Sequence, residues 1–137
     1  MKAFPGLAAL TLILLTGLGL ARAADMTVSL SGAQEVPPVA TDAKGISTIT
    51  VGVDRSVRGH VVTTGISGTA AHIHLAEAGK NGPPIIVLTK TSENEWTVPP
   101  GASLTDEQYE AYKANKLYVN VHSDAHKPGE IRAQLAP

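Results

Sequence analysis

Apolar and polar residues alternate with a period of two along most of this chain, and that pattern predicts β-strands. Met26-Thr27-Val28-Ser29-Leu30 alternates throughout. Ile46 to Val53 alternates again, with Ile49, Val51 and Val53 on one face, and Asp54-Arg55-Ser56 turns it into Val57 to Thr64 as a β-hairpin. Between these runs, Ser31 to Val39 contains Pro37 and Pro38. Two prolines withhold amide donors, so this is an extended edge segment or loop that would protect one sheet edge.

The Gly65-Ile66-Ser67-Gly68 turn leads into Thr69-Ala70-Ala71-His72-Ile73-His74-Leu75. Glu77 to Pro84 is turn chemistry throughout, and no strand–loop–helix frame surrounds it to make a phosphate loop. Ile85-Ile86-Val87-Leu88 is a continuous apolar run of the kind buried on both faces of a sheet. A polar turn at Ser92 to Glu95 precedes a short strand from Glu95 to Val98, with Trp96 and, further on, Tyr118 as core or core-edge aromatics. Leu117 to His122 and Glu130 to Leu135 close the series, joined by Ser123 to Gly129. About eight short strands with turn signals between them predict an all-β sandwich or barrel.

One helix interrupts the strands, near 105–115. Thr105 with Gln108 fits a capping box and Leu104 with Tyr109 its hydrophobic staple. Asp106 and Glu107 suit the positive N-terminal end, Lys113 and Lys116 the negative C-terminal end, and Asn115 stops the helix.

The first residues follow a different logic. Lys2, the apolar run from Leu7 to Leu20 and Ala21-Arg22-Ala23 have the order of a signal peptide cut after Ala23. As a transmembrane helix the run is short and contains glycine, and no stop-transfer charges follow it. Cleavage of residues 1–23 from the 137 leaves 114, one domain spanning 24–137. Lys2 and Arg22 leave with the signal, so the basic count falls from 11 to 9 against 12 acidic residues, a formal charge of −3. That balance excludes nucleic acid and an anionic membrane surface as obvious partners, and no membrane anchor remains after cleavage. The chain has no cysteine, so its core must hold without disulfides, and an exported chain of this kind points to a bacterial periplasm or to secretion.

Candidate chemistry rests on histidine. In an extended strand His72 and His74 share one face, about 7 Å apart, opposite Ala71, Ile73 and Leu75. His122 ends a second strand and can complete a three-imidazole metal site. Imidazole suits copper, zinc, iron and nickel; export favours copper, and zinc takes the same ligands. His126, His60 and the thioether of Met26 are candidate further donors. Glu130 and Arg132 share a face of the last strand. They are read either as supporting a metal centre, Glu130 by orienting a histidine and Arg132 by attracting an anion, or as structural, with Arg132 paired to Glu35 or Glu130 to tie down the Pro-rich segment. Asn120, on the face of His122, reads as a supporting polar residue that satisfies backbone. The sequence offers no cysteine, no Gly-x-Ser-x-Gly and no paired carboxylates, hence no nucleophilic site.

An ordered set of these segments resembles the CHRD domain family, named for chordin and found singly in exported bacterial proteins. The set is Leu30-Ser31-Gly32-Ala33-Gln34-Glu35-Val36-Pro37-Pro38-Val39, Ala71-His72-Ile73-His74, Gly79-Lys80-Asn81-Gly82-Pro83-Pro84-Ile85, Leu104-Thr105, Leu117 to Ser123 and Pro128 to Leu135. The resemblance implies a Greek-key sandwich or barrel, immunoglobulin-like or like copper-zinc superoxide dismutase. It carries His72, His74 and His122 as matching histidines, but not His60 or His126. The disulfide cysteines and zinc loop of the dismutases have no counterpart here.

Three functions follow as expectations. The first is an exported metal-binding protein, holding copper for buffering, delivery or resistance. The second is a copper-dependent redox enzyme with superoxide as substrate. The third is a protein-interaction or scaffold module whose histidines are structural.

Overall fold

A computed structural model describes residues 23–137; the expected signal peptide lies outside the described residues except for Ala23. Nine antiparallel strands make a nearly closed sheet: β1 (Met26–Ser31), β2 (Lys44–Val51), β3 (Val57–Thr64), β4 (Gly68–Leu75), β5 (Pro84–Val87), β6 (Thr89–Ser92), β7 (Glu95–Thr97), β8 (Leu117–Ser123) and β9 (Ile131–Leu135). Their order across the sheet is β5-β4-β8-β9-β1-β2-β3-β7-β6. The all-β sandwich or barrel reading holds. The β2–β3 hairpin forms as the alternation predicts, from Lys44 opposite Thr64 to Val51 opposite Val57. Val53 does not share its inward face; it lies beyond the end of β2 and is exposed.

Alternation places Leu30, Ile49, Val61, Ile73, Val119, Val121, Ile131 and Leu135 inward, all buried in one core with Trp96. The α-helix among the described residues, α1 (Asp106–Lys113), has Thr105 as N-cap in a complete capping box with Gln108, and Asn115 follows it with a φ of 61°. Arg55 pairs with Asp106, and the Leu104 N–H donates to the Arg55 carbonyl, which fastens the helix to the β2–β3 turn. No helix among the described residues is long and apolar enough to cross a membrane.

The outermost strands of the sheet are consecutive in the chain. β5 pairs with β4 and β6 with β7, and only Leu88 separates them. One extended segment therefore changes partners at Leu88 and draws the sheet round on itself. Leu88 points into the core, its N–H donates to the Ala71 carbonyl, and Lys90 Nζ donates to the Gly68 carbonyl from the other side of the seam. The apolar run at 85–88 is thus an outermost strand with Val87 exposed, not one buried on both faces. The polar strand Thr-Lys-Thr-Ser that follows it is exposed along its length and carries no period-two apolar signal.

Two loops lie against the outward face of β4, β8 and β9: the β1–β2 connection, residues 32–43, and the β4–β5 connection, residues 76–83. The first contains a 3-10 turn (Gly32–Gln34) and a cis Val36–Pro37 peptide. They join where Asn81 Nδ2 donates to the Val36 carbonyl at 2.8 Å. The Pro-rich segment therefore covers a sheet face as well as leaving the end of β1.

Leu88 holds the seam by burial, whereas Thr91 on β6 stays in solvent. Leu88→Ala is expected to lower the unfolding free energy by about 2–5 kcal/mol in urea denaturation. Thr91→Ala should change it by no more than about 0.5 kcal/mol. Equal effects would mean that the seam is held by strand pairing rather than by the Leu88 side chain.

Candidate metal centre

The strand register explains why three histidines meet. β4 and β8 pair antiparallel with His72 opposite Asn120, His74 opposite Tyr118 and Ala70 opposite His122. His72, His74, Tyr118, Asn120 and His122 therefore share the outward face, and β9 adds Arg132 opposite Asn120 and Gln134 opposite Tyr118. This face is polar, yet the two loops bury much of it.

One potential ligand atom from each of His72, His74 and His122 lies within 4.8 Å of the others. His72 Nδ1 is 2.9 Å from His122 Nε2. Two tetrahedral nitrogens on bonds of about 2.0–2.1 Å would stand about 3.3 Å apart, so a small ring rotation suffices to bind one ion. Backbone carbonyls set the tautomers. His74 Nδ1 donates to the Gly82 carbonyl at 2.9 Å and His122 Nδ1 to the Lys127 carbonyl at 2.7 Å. Each therefore presents an Nε2 lone pair, the second-shell pattern of metal-bound histidine. Nε2 of His74 is buried and has no hydrogen-bond partner. His74 is buried and forms the floor; His72 and His122 are half-buried at the rim.

Burial lowers the affinity of His72 for a proton, and the neighbouring His122 and His74 lower it further. His74 is also lowered, first by burial, against the opposing pull of the Gly82 carbonyl. Neutral imidazoles are the form that binds a metal, so protons compete weakly here.

The supporting residues form a stacked layer. The Tyr118 ring lies parallel to His74, with centroids 4.7 Å apart and an interplanar angle of 3°, and its hydroxyl bonds with the Gly82 backbone. The Arg132 guanidinium lies 3.4 Å over the same Tyr118 ring. Its N–H groups donate to Asn81 Oδ1 and to the carbonyls of Lys80 and Glu77. Arg132 thus ties down the 76–83 loop, not the Pro-rich segment by an ion pair with Glu35 or Glu130, and its engaged donors leave it poorly placed to attract an anion. Glu130 accepts from Thr41 Oγ1 at 2.7 Å and so fixes the end of the β1–β2 loop. Tyr118 faces the histidines and lies outside the apolar core.

The remaining candidates lie elsewhere. His60 points outward from β3 between Thr48 and Thr97, exposed. Met26 is inside the core, near Val51 and Tyr112 below the helix. His126 lies in the β8–β9 turn, where it lines a cavity of about 390 Å³ with Pro37, Pro38 and Pro128. The structure brings none of these three into the His72–His74–His122 group.

Glu35 was legible only as a pairing partner, and it is a buried carboxyl with Oε1 unpaired. Burial pushes it up to about 7, opposed by the Arg132 charge and by hydrogen bonds from Asn120 and the Val36 N–H. Gly129 makes room for it: φ there is +131°, and a Cβ would collide with Glu35 Oε1 and stand 2.6 Å from Asn120 Nδ2.

The CHRD domain family model matches residues 26–135, which takes in every strand and both covering loops. No curated protein and no solved structure matches the chain.

A carboxyl raised to about 7 keeps a proton that the unfolded chain releases above about 4.5. Its share of stability is therefore complete below the unfolded value and is lost as pH rises through 7. The depressed histidines act in the opposite sense, so the comparison must be with a variant at each pH. Glu35→Gln is expected to match the parent at pH 5 and to exceed it by roughly 1–3 kcal/mol at pH 8, read by chemical denaturation. A pH-independent difference between the two proteins would show that Glu35 is ionised in the fold.

Proposed function

Because this chain belongs to the CHRD domain family and carries three convergent imidazoles, we propose that it is an exported metal-binding protein. His72, His74 and His122 hold the ion, and copper is the metal of choice. The observation that carries this reading is the His74 Nε2 lone pair, buried and unpartnered on a ring whose centroid lies 5.4 Å from that of His72 and 6.0 Å from that of His122. An unsatisfied buried acceptor costs about 1–3 kcal/mol, and a bound cation would remove that cost.

The choice of copper rests on the all-imidazole cluster and on the export expected from residues 1–23. Zinc fits the same ligands. The half-buried rim lets the ion enter and leave past His72 and His122, which suits buffering, delivery or resistance. The core lies on the other face of the same strands, so the fold does not need the ion to exist.

The test is elemental mass spectrometry of the untagged mature protein, purified from its native compartment, beside the His72→Ala/His74→Ala double variant. Near-stoichiometric copper in the parent and none in the variant is the expected result. Zinc in place of copper would keep the site and change the metal. No metal in the parent, with a variant that only unfolds more easily, would make the histidines structural. Stripping the ion with a chelator should preserve the β-sheet circular dichroism and lower the melting temperature, since the ion stabilises only the state that binds it.

A further inference from the structure

Beside the proposed centre, on whose existence this inference rests, two buried acceptors on one sheet face have no hydrogen-bond partner. Asn120 lies on β8 between His72 on β4 and Arg132 on β9, and it is almost wholly buried. Its amide nitrogen turns towards acceptors: the Pro128 carbonyl at 3.5 Å and the Glu35 carboxyl beside Gly129. Those neighbours assign the NH₂ to that end, which sends Oδ1 the opposite way. On that side lies β4, which carries His72 and His74 on the same outward face as Asn120.

His74 supplies no proton to Asn120 Oδ1, because its single N–H is committed to the Gly82 carbonyl. Both Asn120 Oδ1 and His74 Nε2 are without partners, and each exposes less than 1 Å². A water needs about 2.8 Å to each atom and does not reach them. A metal ion needs only about 2.0–2.2 Å and a slight parting of the pair.

We propose that Asn120 Oδ1 is the fourth donor of the centre, completing a closed set of three nitrogens and one oxygen with His72, His74 and His122. Glu35 is the positioning residue, holding the amide nitrogen so that the oxygen faces the ion. A neutral oxygen donor suits a divalent ion better than Cu(I), which prefers soft ligands. Four protein donors also leave no vacant position in a tetrahedral site, which suits holding and handing over an ion rather than turning over a substrate.

The test loads the mature protein with Co²⁺ as a spectroscopic probe and measures Cu²⁺, Zn²⁺ and Cu⁺ affinities by competition with chromogenic chelators. Asn120→Leu is expected to shift the Co²⁺ d–d bands and to weaken divalent binding about ten-fold or more, with Cu⁺ affinity much less affected. Asn120→Asp, which keeps an oxygen and adds charge, should retain the four-coordinate spectrum and bind divalent ions more tightly. A purely structural asparagine would weaken binding without moving the bands. If folded Asn120→Leu keeps the parent spectrum and affinities, the inference falls and the three-histidine reading stands. If Asn120→Leu does not fold, Asn120→Asp decides, since divalent affinity no tighter than the parent's overturns the inference. If the parent takes up none of these ions, the proposed function itself fails, and the fourth donor with it.

Discussion

The outer layer of this protein depends on one buried cation lying flat on one ring. Arg132 is the largest fully buried side chain, and it belongs to a face that alternation would leave in water. Its charge is tolerable because every direction is compensated: carbonyls and an amide oxygen in the plane, and the Tyr118 π-face below. The stack continues to His74, so loop 76–83, Arg132, Tyr118 and His74 form a single column across three strands. Without it, the loop would lose its anchor and the histidine its backing wall.

The column also sets the electrostatics. Burial opposes protonation of His74, and the fixed positive charge of Arg132 adds a smaller effect. The same charge partly offsets the cost of burying Glu35, though not enough to keep that carboxyl in its usual range. The layer is thus asymmetric, with a permanent cation at one end and the imidazole group at the other. Carbonyls of Gly82 and Lys127, each in a loop, hold the rings in the tautomer that turns Nε2 to the group. The Gly82 carbonyl belongs to the loop that Arg132 ties down, so the orientation of His74 is linked to Arg132.

Much of the fold was legible because its core strands are half-buried in the plain sense: Leu30, Ile49 and Ile73 alternate with polar neighbours. The helix was legible because Thr105 and Gln108 satisfy backbone groups locally, with no help from distant contacts. β6 escaped because Thr89 to Ser92 faces solvent on both sides, leaving pairing with β7 as its main support. Ile85 to Leu88 misled because an apolar run looks the same on an outermost strand as in a buried one. For the site, His72 and His74 were visible from period-two geometry alone. Bringing His122 to them required a strand register that no local pattern encodes. The burial of Asn120 and Arg132 was hidden for a related reason: polar residues on an outward face read as solvated until a loop is known to cover them. His126 is close to His122 in sequence, but the turn carries it to another cavity.

The change of partner at Leu88 also bears on how such a sheet avoids sticking to others. Among the described residues, the longest strands, β2, β3, β4 and β8, have neighbours on both sides. What stays unpaired is limited to two four-residue strands, one beginning with Pro84 and the other carrying Lys90. Short length, a proline and a lysine are each deterrents to strand addition by a second chain. By spending nine consecutive residues on its own two borders, the polypeptide offers little template for cross-β stacking, a safeguard built from topology rather than from surface charge.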